Sequence, residues 1–148
     1  MLRLGLGICL IAAWACAQSF SFTIGSPVAA PGVMTKMAAF VFRIEGCDPA
    51  KAEVSGSAEG LVDGQRRSVA LALRPATQPG VWAVNRGWPA QGQWVVNLKG
   101  TCGGAAAGAI VPFGPDGFIR EASKFLPRPA TDAEIETSLK ALAPGGNK

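Results

Sequence analysis

The chain contains no histidine and no tyrosine. Without histidine there is no Ser-His-Asp or Cys-His catalysis, no histidine-bound zinc and no cupredoxin-type copper site. No Cys-x-x-Cys occurs either, which argues against a thiol oxidoreductase. Charge is sparse and scattered: charged residues make up 16% of the sequence, and the closest basic cluster is Arg66-Arg67. A net charge of +4, or +3 without Arg3, with no block of like charges, serves solubility; no nucleic-acid partner is expected. The 10 acidic residues form no dense local constellation, and Asp48, Glu53, Glu59 and Asp63 lack calcium-loop spacing. A carboxylate pair for glycoside cleavage would have to meet in space, and the sequence shows none. Gly100-Thr101-Cys102-Gly103-Gly104 lacks the lysine and following helix of a phosphate-binding loop. Met34 and Met37 offer two thioethers that suit Cu(I), but with no third methionine after the N-terminal segment they read as core filling. No catalytic residue, no metal and no cofactor are expected.

What is present begins at the N-terminus. A basic start (Arg3), an apolar run from Leu4 to Ala13 and small residues at Ala15 and Ala17 make an Ala-x-Ala cleavage pattern. Residues 1–17 therefore read as a secretory signal peptide, too short to span a bilayer. The expected mature protein is extracytoplasmic, periplasmic or secreted, with no transmembrane segment after cleavage. An overlapping pattern, Ala13-Trp14-Ala15, would instead leave Cys16 first, where a bacterial lipoprotein carries its lipid. Lipoproteins usually have Leu where this chain has Ala13, so a cleaved, unanchored protein is the main expectation. Cys47 and Cys102 then remain, and in an oxidising compartment two cysteines most simply pair.

The mature chain of about 131 residues suits one domain. Period-two alternation recurs from residue 39 to 99, the mark of half-buried strands. Phe40, Phe42 and Ile44 alternate with Val41, Arg43 and Glu45; Val69, Leu71 and Leu73 alternate with Ala70, Ala72 and Arg74; Trp94, Val96 and Leu98 oppose Val95, Asn97 and Lys99. Trp82 and Val84 form a shorter run of the same kind. Lys51–Ala58 and Ala109–Phe113 read as weaker strands, and Ser19–Ile24 as an edge strand. Asp63-Gly64 is a strong hairpin signal, and Pro79-Gly80 suits a type II turn. Seven or so short strands so punctuated make an all-β, antiparallel Ig-like β-sandwich over residues 18–130. The bridge is expected to tie neighbouring strand ends, because Cys47 falls out of phase with Phe40, Phe42 and Ile44.

After Cys102 the sequence turns to small residues and prolines. Gly103–Gly108 reads as flexible, and the stretch beyond it as wrapping the sandwich through Ile110, Phe113, Phe118 and Phe125. Residues 131–148 are expected to form a short C-terminal α-helix and tail. Thr131 and Glu134 make a capping box, and Ile135, Leu139 and Leu142 fall on one apolar stripe.

Three tryptophans, Trp82, Trp88 and Trp94, lie within 13 residues. Trp82 and Trp94 share strand faces with aliphatic neighbours and read as core. Trp88 lies in the turn Arg86-Gly87-Trp88-Pro89, off the alternation, which makes it the aromatic available to a ligand, with Arg86 and Asn85 beside it.

Gly80-Val81-Trp82-Ala83-Val84, followed by Trp88-Pro89-Ala90-Gln91-Gly92-Gln93-Trp94-Val95-Val96, resembles extracytoplasmic immunoglobulin-like modules of bacteria, including YtkA-like and FixH-like domains. The resemblance covers about twenty residues and implies an Ig-like hairpin; no functional residue carries over. The leading expectation is a non-catalytic module that binds another envelope protein through the Trp88 turn and the Ile135/Leu139/Leu142 stripe. The alternative is a sandwich that binds a glycan or small ligand through Trp88, Arg86 and Asn85.

Overall fold

The computed structural model describes residues 19–30 and 37–144. The signal segment 1–17 with Cys16, the Met34-Thr35-Lys36 stretch and the tail 145–148 lie outside the described residues. The strands in chain order are β1 (Ser21–Gly25), β2 (Ala38–Glu45), β3 (Ala52–Val62), β4 (Gln65–Leu71) and β5 (Leu73–Pro75). They continue with β6 (Val81–Asn85), β7 (Gln93–Cys102), β8 (Ala105–Gly114), β9 (Gly117–Phe118) and β10 (Lys124–Leu126), and the helix α1 spans Asp132–Leu142.

Two antiparallel sheets result. One runs β1-β2-β6-β5; the other runs β10-β8-β7-β3-β4, with β9 paired to β8. The order β1-β2-β6-β5 against β8-β7-β3 is that of the immunoglobulin sandwich, A-B-E-D against G-F-C, with β4 in the place of C′. The core between the sheets follows the alternation read from the sequence. Phe40, Phe42 and Ile44 of β2 meet Trp94, Val96 and Leu98 of β7 and Ala107, Ala109 and Val111 of β8, all buried. Val41 is buried too, but on the opposite face of β2, with Val81, Ala83 and Ala30.

Local turn chemistry sets the register. Asp63 and Gly64 both adopt positive φ (50° and 74°), the two-residue turn whose twist matches a hairpin, and Val62 pairs with Gln65 across it. Gly80 (φ 80°) follows Pro79 in a turn closed by the Val81 N–H donating to the Gln78 carbonyl at 3.3 Å.

Cys47 and Cys102 form a disulfide with Cα atoms 6.4 Å apart. Cys47 lies just past β2 and Cys102 ends β7, so the bridge joins the two sheets at one end of the sandwich. It links the same two strands, B and F, as the antibody disulfide, but at their ends rather than mid-sandwich.

Several expectations need correction. Trp82 stacks on Phe42, with ring centroids 5.4 Å apart and planes 11° from parallel, yet it is only half-buried. Its outer neighbour is the three-residue β5, which ends at Pro75 directly opposite it and leaves one side of the indole open. The run Val69-Leu71-Leu73 is not one strand: the chain leaves one sheet after Leu71 and joins the other at Leu73. Lys51–Ala58 underestimates β3, an eleven-residue strand between β7 and β4. Nor is Gly103–Gly108 a flexible wrap. Ala105–Gly114 is a ten-residue strand inside the sheet, where small residues permit close approach. A Cβ at Gly108 would collide with the Arg128 carbonyl, so the segment that leads to the helix lies directly on this glycine. Phe125, expected to hold the wrap, is 45% exposed.

That overlying segment is fastened at the start of α1. Thr131 Oγ1 accepts from the Glu134 N–H (3.3 Å), and the Glu134 carboxylate accepts from the Thr131 N–H (2.8 Å). Both terminal nitrogens of Arg128 donate to the same carboxylate at 2.8 Å. Arg128 above all, and then the Thr131 backbone, lower the Glu134 pKa from the ordinary carboxylate value to about 2. Since the folded-state value is the depressed one, this fastening is complete above the unfolded value near 4.5 and is lost as pH falls through about 2. Glu134→Gln is therefore expected to lower the melting temperature at neutral pH, by an amount that shrinks to nothing by about pH 2. Thermal melts of both proteins across that range check it.

Beyond the cap, α1 lies on the outer face of the β7–β8–β3 sheet. Ile135 and Leu139 are buried with Val95 and Ile110, and Leu61, Ala130 and Leu142 close the cluster. The Ile135/Leu139/Leu142 stripe, which a short helix must bury on its own domain or on a partner, covers this protein's own sheet. Alternation makes the reason plain: with Trp94, Val96 and Leu98 turned inward, Val95 faces out and needs a cover.

Candidate functional site

The end of the sandwich opposite the disulfide is closed by the loop between β6 and β7, residues 86–92. Trp88 does not project from this loop. It is 5% exposed and packs edge-on against Phe113, with centroids 4.9 Å apart and planes at 67°. Trp88 thus covers the end of the sandwich rather than offering an exposed stacking platform. A large apolar ring in a loop over the open end of a sandwich gains more from covering the core than from facing water. Arg86 follows it, its guanidinium carbon 5.7 Å from the centre of the indole, a cation–π arrangement.

Over Trp88 and Arg86 opens a cleft of about 730 Å³. Its walls come from three places in the chain: Arg86 and Trp88 from the loop, Trp94 and Phe113 from β7 and β8, and Leu142 from the last turn of α1, with Ile119 closing a side. The volume lies within the range of small-molecule sites, and the accessible lining is about half polar and half apolar. Among the described residues Arg86 is the one charged residue in this lining.

The two indole N–H groups at this end differ. Trp94 Nε1 donates to the Gln91 carbonyl at 2.8 Å. Trp88 Nε1 is buried and has no hydrogen-bond partner among the described residues. A buried donor left unpaired costs free energy, and Trp88, which carries this one, is among the residues that line the cleft.

Of the site residues expected from sequence, Arg86 and Trp88 meet in the cleft. Asn85 ends β6 opposite Ala38 and is absent from the lining. Leu142, expected on a partner surface, contributes a wall instead. Sequence reasoning missed Phe113 and Ile119 as site residues. The only signal for Phe113 was its place at the end of an apolar run, and nothing local announced Ile119.

The carboxylates lie elsewhere. Glu59 on β3 accepts from Ser57 Oγ (2.6 Å), Ser68 Oγ (2.9 Å) and Arg66 (3.1 Å), and Arg66 also reaches Asp132 at the start of α1 (3.4 Å). That network links β3, β4 and the helix. Among the described residues no group of three or more Cys, Asp or Glu side chains is placed to hold a metal ion. No family model, curated protein or solved structure matches the chain.

Proposed function

We propose that this protein is an extracytoplasmic, non-catalytic binding domain that holds a small ligand in the cleft above Trp88. The observation that carries this reading is a cleft of small-molecule size lined by Arg86 and by Trp88, whose buried Nε1 has no partner among the described residues. No carboxylate or cysteine lines the cleft, so its lining offers no general acid, base or nucleophile of the usual kinds. Placement outside the cytoplasm is supported by the Ala15/Ala17 cleavage pattern and by the Cys47–Cys102 bridge. Among the described residues no helix is long and apolar enough to cross a membrane. Binding of another envelope protein would have relied on the apolar helix stripe, which the domain itself covers.

The test is a small-fragment screen followed by ¹H–¹⁵N spectra of the mature protein. The Trp88 indole resonance is identified by its loss in Trp88→Phe. Bound fragments are expected to move that resonance further than those of Trp82 and Trp94. A screen in which no fragment moves it, or in which hits move only distant residues, overturns the reading.

A further inference from the structure

Resting on that reading, we infer that the cleft selects a small organic monoanion, a carboxylate attached to an apolar body, rather than a neutral glycan or a cation. Three observations converge on this class. Arg86 is the one charged side chain in the lining, and no carboxylate among the described residues is within ion-pairing distance of it. Its guanidinium is held over the Trp88 ring, so a planar, always-charged fork is already ordered at the cleft wall. Trp88 Nε1, buried and unpartnered, is a donor only, and an anionic oxygen is the strongest acceptor it can receive.

The remaining walls orient the ligand. Trp94, Phe113, Ile119 and Leu142 are apolar and offer a hydrocarbon or aryl group no hydrogen bonds. The helix arrives with its C-terminal end, since Ala141, Leu142 and Ala143 line this side. Carbonyls at a helix C-terminus carry partial negative charge and repel an anion. The carboxylate is thus directed to the Arg86/Trp88 side and the apolar body toward Leu142. One cation in the lining matches one negative charge.

Decanoate and decanol are matched probes: same chain, with and without the charge. Calorimetric titration of the mature protein below the micelle range is expected to show decanoate binding at least about 10-fold tighter than decanol. Arg86→Gln should remove most of that preference, weakening decanoate far more than decanol. Trp88→Phe keeps a ring in the core and deletes the N–H; it should weaken decanoate about 10-fold. Thermal melts confirm that both variants remain folded. Equal binding of the two probes, or a preference that survives Arg86→Gln, overturns the anion assignment and leaves the cleft as a neutral apolar site. Failure of both probes while other fragments still move the Trp88 indole resonance also overturns it. If nothing moves that resonance, the cleft reading falls with it.

Discussion

Replacing both Cys47 and Cys102 by alanine is expected to lower the unfolding free energy by about 4 kcal/mol. The bridge closes a loop with a sequence separation of 55, and the chain-entropy account assigns that size of loop roughly this stabilisation, as a larger unfolded ensemble becomes accessible when it opens. For a domain of this size the corresponding fall in melting temperature is on the order of 15 °C. Both cysteines are packed against the main core, so alanine also leaves small voids at the sandwich end. Denaturant unfolding of the native and doubly substituted proteins measures the difference. A loss below about 1 kcal/mol would mean that the strand ends stay together in the unfolded chain without the bridge. The cleft lies at the far end of the sandwich, so probe binding by the folded fraction should be unchanged.

Leu139→Asp is expected to release α1 from the sheet. Leu139 is 0% exposed, packed with Ile135 against Val95 and Ile110. Truncating such a leucine to alanine typically costs about 2–5 kcal/mol, and a carboxylate there adds the cost of burying an unpaired charge. The Arg66–Asp132 ion pair at the exposed start of α1 is too weak to offset such a loss, and among the described residues Asn97 Oδ1 on β7 and Ser138 Oγ on α1 are already buried without partners. Undocking is the cheaper response, and an isolated helix of 11 residues does not persist in water. The variant should gain dye-binding apolar surface and become cleavable in the segment before Thr131, while the two sheets still melt cooperatively. Unchanged dye binding and protease resistance would show that the helix is not held by this contact. Because Leu142 forms a wall of the cleft, the same variant should also weaken decanoate.

How much of this was legible in the chain depended on whether the deciding contact was local. Asp63-Gly64, Pro79-Gly80 and the Thr131/Glu134 box are short-range signals, and each stands where its residues demand. The inward faces of β2 and β7 followed from alternation alone, because each strand has one face on the common core. The Cys47–Cys102 pairing followed from there being only two candidates. The failures were long-range. Only Ala109–Phe113 of β8 reads as a strand in the sequence, because its first half is glycine and alanine, yet those small residues are required by a segment that arrives some twenty residues later, where Arg128 lies on Gly108. The sheet change between Leu71 and Leu73 leaves the apolar alternation intact and so leaves no mark on it. The exposure of Trp88 stayed open in the sequence because its turn breaks the pattern; Phe113 draws it inward from across the sandwich. The cleft itself draws its walls from four separate segments, which no window of sequence contains.

The helix that covers Val95 and Ile110 follows them in the chain by more than twenty residues. During synthesis the sheet is thus complete before its cover exists, and Leu61, Val95 and Ile110 face the surroundings together until residue 142 has emerged. A message cut short between codons 115 and 131 would encode all the strands of the main core and none of that cover. Its product would fold into a sandwich with an adhesive flank, so for this chain a late truncation is a sharper hazard to quality control than an early one.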